Sequence, residues 1–217
     1  MLPKQLRFLH PYLHFTGLLL MVVGLPFSML LMSLSQFFIG GNWILEGNFT
    51  EKLKRFKSNQ SAIALCCIFI MLLPPLFWST NTNEALKLIR LNLPFLIFPF
   101  VLGSIKPLQF SWYKLLIRLF ILSVFLAVIV CSLVGLPRWM NGELTDIRNI
   151  SLFISHIRFS LLIAFALLLI LWITIKKPFE FIPYEKYILP SIGLILLAFL
   201  FILQSLNGII ILCIVGG

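Results

Sequence analysis

Long apolar runs separated by short basic stretches constrain this chain more than any other feature. Ser61 to Trp78, Leu86 to Leu102, Leu115 to Val134, Ile150 to Ile175 and Tyr187 to Leu203 each approach or exceed the length that crosses a bilayer as a helix. His14 to Leu45 is a longer run, interrupted at Gly24-Leu25-Pro26. A proline ends or kinks a helix at the residue before it, so two short spans are expected there. The last run, from Gly208 to Gly217, covers only about half of a hydrocarbon core. In lipid the backbone must bond to itself, and helices do so within one segment. The expected fold is therefore all-α: a polytopic transmembrane helical bundle of about seven spans plus a partial eighth, in one membrane-embedded domain over residues 1–217.

Composition agrees. Hydrophobic residues make up 60% of the chain and charged residues 11%, well below the quarter or so usual in a soluble domain. The net charge of +10 is carried by groups lying between apolar runs, which reads as a topology signal and not as a nucleic-acid surface. With two spans in 14–45, one side holds Lys4, Arg7, Lys52, Lys54, Arg55, Lys57, Lys106, Lys114, Arg118, Lys176, Lys177 and Lys186, twelve of the 17 basic residues. The positive-inside rule makes that side cytoplasmic, with the N-terminus. Lys4 and Arg7 before an apolar run imitate a signal peptide, but the absence of a small-residue cleavage site favours a retained anchor. Trp78 and Trp139 on one side, with Trp112, Tyr113, Trp172 and Tyr184 on the other, fit interfacial belts.

Five basic residues remain on the outer side: Lys87, Arg90, Arg138, Arg148 and Arg158. Ionisable groups at the mouth of a span are costly and point to function. Glu84, Lys87 and Arg90 recur every third residue, ahead of a span that Pro94 and Pro99 are expected to kink. The stretch from Asp146 to Ser160, projected as one helix, sets Arg148, Ser151, Ser155 and Arg158 in one stripe and Asn149, His156 and Ser160 in another. Counting about 20 residues back from Ile175 puts the outer boundary near His156. Guanidinium groups at that height suit a phosphate or pyrophosphate, whose oxygens they match in pairs. The plainer readings are that Arg158 snorkels to the interface and that His156 is a packing residue. His10 and His14 are read as interfacial, and Cys66, Cys67, Cys131 and Cys213 as small buried hydrophobes without metal-ligand spacing. No metal cluster, phosphate loop or nucleophile triad stands out.

Three segments, in order, resemble the O-antigen ligase family of bacterial inner-membrane proteins. They are Asn42 to Phe49 before a lysine-rich loop, Ala85 to Pro99, and Ile154 to Phe159 followed by Leu203 to Gly208. Asn92 and Asn207 stand where the family often has a basic residue and a threonine. The resemblance implies glycan transfer from undecaprenyl pyrophosphate to lipid A–core, in lipopolysaccharide biosynthesis at the outer face of the inner membrane, without metal or other cofactor. On that reading Arg90 and Arg158 hold the pyrophosphate, supported by Arg148, Lys87 and His156. Family members continue through a large outer loop bearing a histidine and then further spans, so the chain is expected to correspond to the N-terminal part of that fold and to be inactive alone. The alternatives are an O-antigen polymerase-like protein, a transporter or flippase, and a non-catalytic membrane subunit. A translocation path calls for charges through the midplane, and Leu161 to Ile175 has none.

Overall fold

The computed structural model describes residues 9–74, 82–144, 146–179 and 184–216. Lys4, Arg7 and Trp78 lie outside the described residues. The described chain is helical throughout: α1 (Leu9–Phe27), α2 (Met29–Glu46), α3 (Phe49–Ser58), α4 (Gln60–Ile70), α5 (Thr82–Asn92), α6 (Pro94–Ser104), α7 (Phe110–Met140), a 3-10 turn (Ile147–Ile150), α8 (His156–Lys176), α9 (Glu185–Ile202) and α10 (Leu206–Gly216). No strand occurs among the described residues.

Among the described residues, five stretches are long and apolar enough to cross a membrane: α1, Leu86–Ser104 through α5 and α6, α7, α8 and α9. The all-helical membrane architecture expected from the sequence is found, but five such stretches are seen and not about seven. The physical reason is visible in the two that fall short. α2 carries Ser33, Ser35, Gln36 and Asn42, which lower its hydropathy, and α4 ends after 11 residues. The break expected at Pro26 comes at Ser28, between α1 and α2. There Gly24 lies so near the Leu31–Met32 backbone that a Cβ would meet Met32 N at 2.9 Å. Near the other proline pair, Pro94 opens α6 and Pro99 lies inside it.

The chain divides into two compact units. The first comprises Met1–His14 and Phe38–Leu108. In it α4 packs on α6, with Ala62 against Gly103 and the Cys66 thiol directed at Leu96 O. α3 is amphipathic and is tied to the end of α6 by Arg55, which donates to Ser104 O at 3.2 Å. Trp43 Nε1 donates to the Ser104 hydroxyl at 2.7 Å. The turn from α2 into α3 passes through Gly47 and Asn48, both at positive φ. That left-handed pair reverses the chain, and only glycine adopts it freely.

The second unit comprises Phe15–Phe37 and Gln109–Gly217, and holds the larger core. Its core is built from Val124, Ala127, Val128 and Cys131 of α7, Phe159, Ile163, Ala166 and Ile173 of α8, and Leu196, Phe199 and Leu200 of α9. α10 lies on α8, with Gly208 against Ser160 and Ser205 donating to the Ser160 hydroxyl at 2.7 Å. Cys66 and Cys131 are buried as expected, whereas Cys67 and Cys213 are exposed.

Charges in this unit segregate by end. Where α7 and α9 begin and α8 stops, Arg118 grips Glu185 with two bonds of 2.7 Å, and Lys114 lies over Phe110 and Phe179. Lys177 and Lys186 line a cavity at the same end. At the far end of α7 the connection folds back, and Ile150 seats fully buried against Gly135. A Cβ at Gly135 would stand 2.6 Å from Ile150 Cγ2 and 2.9 Å from its carbonyl oxygen. Gly135→Leu is therefore expected to cost about 1–3 kcal/mol, the usual range for overpacking. Thermal unfolding in detergent reads this against Gly41→Ala, where nothing lies within 4 Å and no loss is expected.

Candidate functional site

The outer-side residues singled out from the sequence occupy both units. Lys87 and Arg90 lie exposed on α5 in the first unit; Arg148, His156 and Arg158 belong to the second. The single helix projected from Asp146 to Ser160 is not what forms. Ile147–Ile150 is a 3-10 turn, 151–155 is non-helical, and α8 starts at His156. The Asp146 carboxylate caps the turn by accepting from Arg148 N at 2.9 Å, and the Ser151 hydroxyl donates to Arg148 O at 3.1 Å. Short polar side chains of this kind compete with the helix for backbone groups. Burial of Ile150 then holds the turn in place. Arg148 and Arg158 consequently do not share a helical stripe. The expected membrane boundary near His156 coincides with the first residue of α8.

Arg158 borders an apolar groove. Its walls are Gly24, Leu25, Ser28, Met29 and Met32 around the α1–α2 break, with Ile154, Leu161 and Leu162 beside Arg158, enclosing about 240 Å³. Phe27 and Phe153 meet edge to face at 5.2 Å and fix the 151–155 segment against the end of α1. Arg158 is exposed, His156 half-buried, and neither pairs with an acidic group among the described residues.

The start of α8 adds a second source of positive potential. Ser155 stands at the N-cap but its side chain makes no capping bond, and the first backbone bond into the helix is Phe159 N to Ser155 O at 3.0 Å. The amides of His156, Ile157 and Arg158 therefore have no intrahelical partner. Free amides and the helix dipole together favour an anion at this point. A cation and an uncapped helix start beside an apolar groove suit an amphiphile with an anionic head and an aliphatic tail. One charge with flexible Met29 and Met32 also tolerates tails of varied shape.

No group of three or more His, Cys, Asp or Glu residues among the described residues could hold a metal. Two histidines passed over from the sequence prove to be placed specifically. His10 and His14, expected at the interface, are buried in the first unit with Asn42, Glu46 and Lys52. Their i, i+4 spacing opposite Asn42 and Glu46, also i, i+4, was the signal available. Compared with protein-family models, curated proteins and solved structures, the chain matches none.

The contrast between neighbouring positions on α8 gives a direct check. Arg158 is exposed and Ser160 is 0% exposed beneath α10. A cysteine at 158 is expected to react with a small maleimide in detergent, and one at 160 to resist until the protein is denatured. Equal labelling at both positions contradicts this arrangement.

Proposed function

We propose that the chain is an O-antigen ligase-like membrane protein that binds the pyrophosphate of an undecaprenyl-linked glycan and serves its transfer to lipid A–core. The observation that carries the reading is the Arg158 groove: an unpaired guanidinium and an uncapped helix start beside an apolar trough about the α1–α2 break. In this proposal the pyrophosphate lies against Arg158 and the free amides of α8, and the first isoprene units lie along Met29, Met32 and Leu161. Arg148 and His156, in the same unit, supply further positive potential to this substrate, and Lys87 and Arg90 are carried as candidates on the sequence resemblance alone. Guanidinium groups held toward the leaving pyrophosphate stabilise charge that grows as the glycosyl bond breaks.

Topology follows from the charge count. The end bearing Lys114, Arg118, Lys177 and Lys186 is assigned to the cytoplasm of a bacterial inner membrane, and the groove to the outer face. α2 and α4 complete seven crossings in this reading, with α10 entering from the outer side.

The test uses the purified full chain in nanodiscs with a fluorescent undecaprenyl pyrophosphate. A hydrogen bond to a charged group is worth about 1.5–3 kcal/mol, so Arg158→Gln is expected to weaken binding roughly ten- to a hundredfold. Inorganic pyrophosphate is expected to compete far less well than the lipid. Unchanged affinity in Arg158→Gln overturns the site. For transfer itself, the changes equivalent to Arg90→Gln and Arg158→Gln placed in a full-length homologue are expected to abolish polymer on lipid A–core; normal surface polysaccharide in both variants overturns the assignment.

A further inference from the structure

The first unit contains a buried polar cluster that the lipid-phosphate reading does not use. His10 is 6% exposed, His14 5% and Lys52 1%, far below what such side chains usually show. They are brought together by two helices and a reversal. His10 and His14 lie one turn apart on α1, Asn42 and Glu46 one turn apart on α2, and the Gly47–Asn48 turn sends α3 back so that Lys52 reaches the end of α2. The Lys52 ammonium sits 2.9 Å from Glu46 Oε2, donates to Trp43 O, and lies over the Trp43 ring at 4.7 Å.

Hydrogen bonding fixes the state of His10. Asn42 Nδ2 donates to His10 O at 3.0 Å, so Asn42 Oδ1 is the acceptor at 2.7 Å and His10 Nδ1 carries the hydrogen. His10 Nε2 is left without a partner. Both ring nitrogens of His14 also lack a hydrogen bond, and its Nε2 stands 3.6 Å from Glu46 Oε2. Three buried imidazole nitrogens thus lack a hydrogen bond, and one of them, His14 Nε2, stands beside the carboxylate that Lys52 already neutralises. Arg55 and Glu51, the other charges on this side of α3, bond to each other at 3.0 Å and stay out of the cluster.

Charge balance then decides the behaviour. With both imidazoles neutral, Glu46 and Lys52 cancel. A proton on His14 leaves two cations sharing one carboxylate, an uncompensated buried charge that is strongly unfavourable. The remedy open to the fold is to release Lys52, whose helix is otherwise held by Arg55 on Ser104 O and by the Phe56–Phe100 contact.

We propose that the His10–His14–Glu46–Lys52 cluster is a proton-binding site, in which a proton taken up by His14 displaces Lys52 from Glu46 and loosens α3. Imidazole titrates ordinarily near pH 6.5. The docked state is balanced with a neutral His14 ring, so its stability is present at higher pH and is lost as the pH falls far enough for His14 to take up a proton. A metal is a poor occupant, because the ammonium already holds the carboxylate a metal would need.

Hydrogen exchange of residues 47–58, measured on the full chain in nanodiscs at pH 5.5 and 7.5 and corrected for intrinsic exchange, tests the proposal. Wild type is expected to exchange at least tenfold faster at pH 5.5, and His14→Gln to show no such difference. Lys52→Met gives an independent arm. Without the ammonium, Glu46 is balanced only when His14 is protonated, so the pH response is expected to reverse, with slower exchange at pH 5.5. Circular dichroism checks that each variant is folded. A wild-type segment indifferent to pH, an unaltered response in folded His14→Gln, or an unreversed one in folded Lys52→Met overturns the proposal.

Discussion

The contact between Ile150 and Gly135 governs the end of the second unit where α7 stops and α8 begins. A fully buried isoleucine can approach the α7 backbone this closely only because residue 135 has no side chain. With Ile150 fixed, the turn capped by Asp146 is set, and the five residues that follow are too short to wander. Phe153 then meets Phe27, Ile154 enters the groove wall, and α8 begins at His156 with its amides free. The α8 side of the Arg158 groove is thus downstream of one apolar contact. The site's electrostatics come from where a helix is made to start, as well as from Arg158 itself.

Helix content was legible in the sequence because hydrophobicity alone decides it. Leu115 to Val134 and Leu161 to Ile175 have no lower-energy option in lipid than an α-helix, and both lie inside helices. The start of α8 was not legible, since the sequence reading carried one helix through from Asp146 to Ser160. The Asp146–Ser155 segment was not legible. Its periodicity is compatible with a helix, and the Asp146 and Ser151 side-chain bonds together with the notch at Gly135 divert it. α2 lay between the cases, since its serines and glutamine dilute an apolar pattern without breaking the helix.

The histidines teach the same lesson from the other direction. His10 and His14 looked partnerless because their partners lie about 32 residues away, beyond a proline break. Lys52 belongs to a basic loop that read as a topology signal, yet it is among the largest fully buried side chains. A positive φ at Gly47 and Asn48 makes the difference, and one glycine in a polar stretch does not announce which lysine it will turn inward.

One consequence concerns the bilayer itself. On α7 the interval between Arg118 and Arg138 is apolar and spans about 30 Å, which matches an average hydrocarbon layer. Because Ile150 is pinned to α7 just short of Arg138, the mouth of the Arg158 groove keeps a fixed height on that scale. Membrane thickness therefore becomes a variable of the site. A thicker bilayer submerges the groove and raises the cost of Arg158's charge, whereas a thinner one lifts it toward water and away from the lipid tail it is suited to meet. The helix works as a gauge, setting the height of Arg158 relative to the apolar layer.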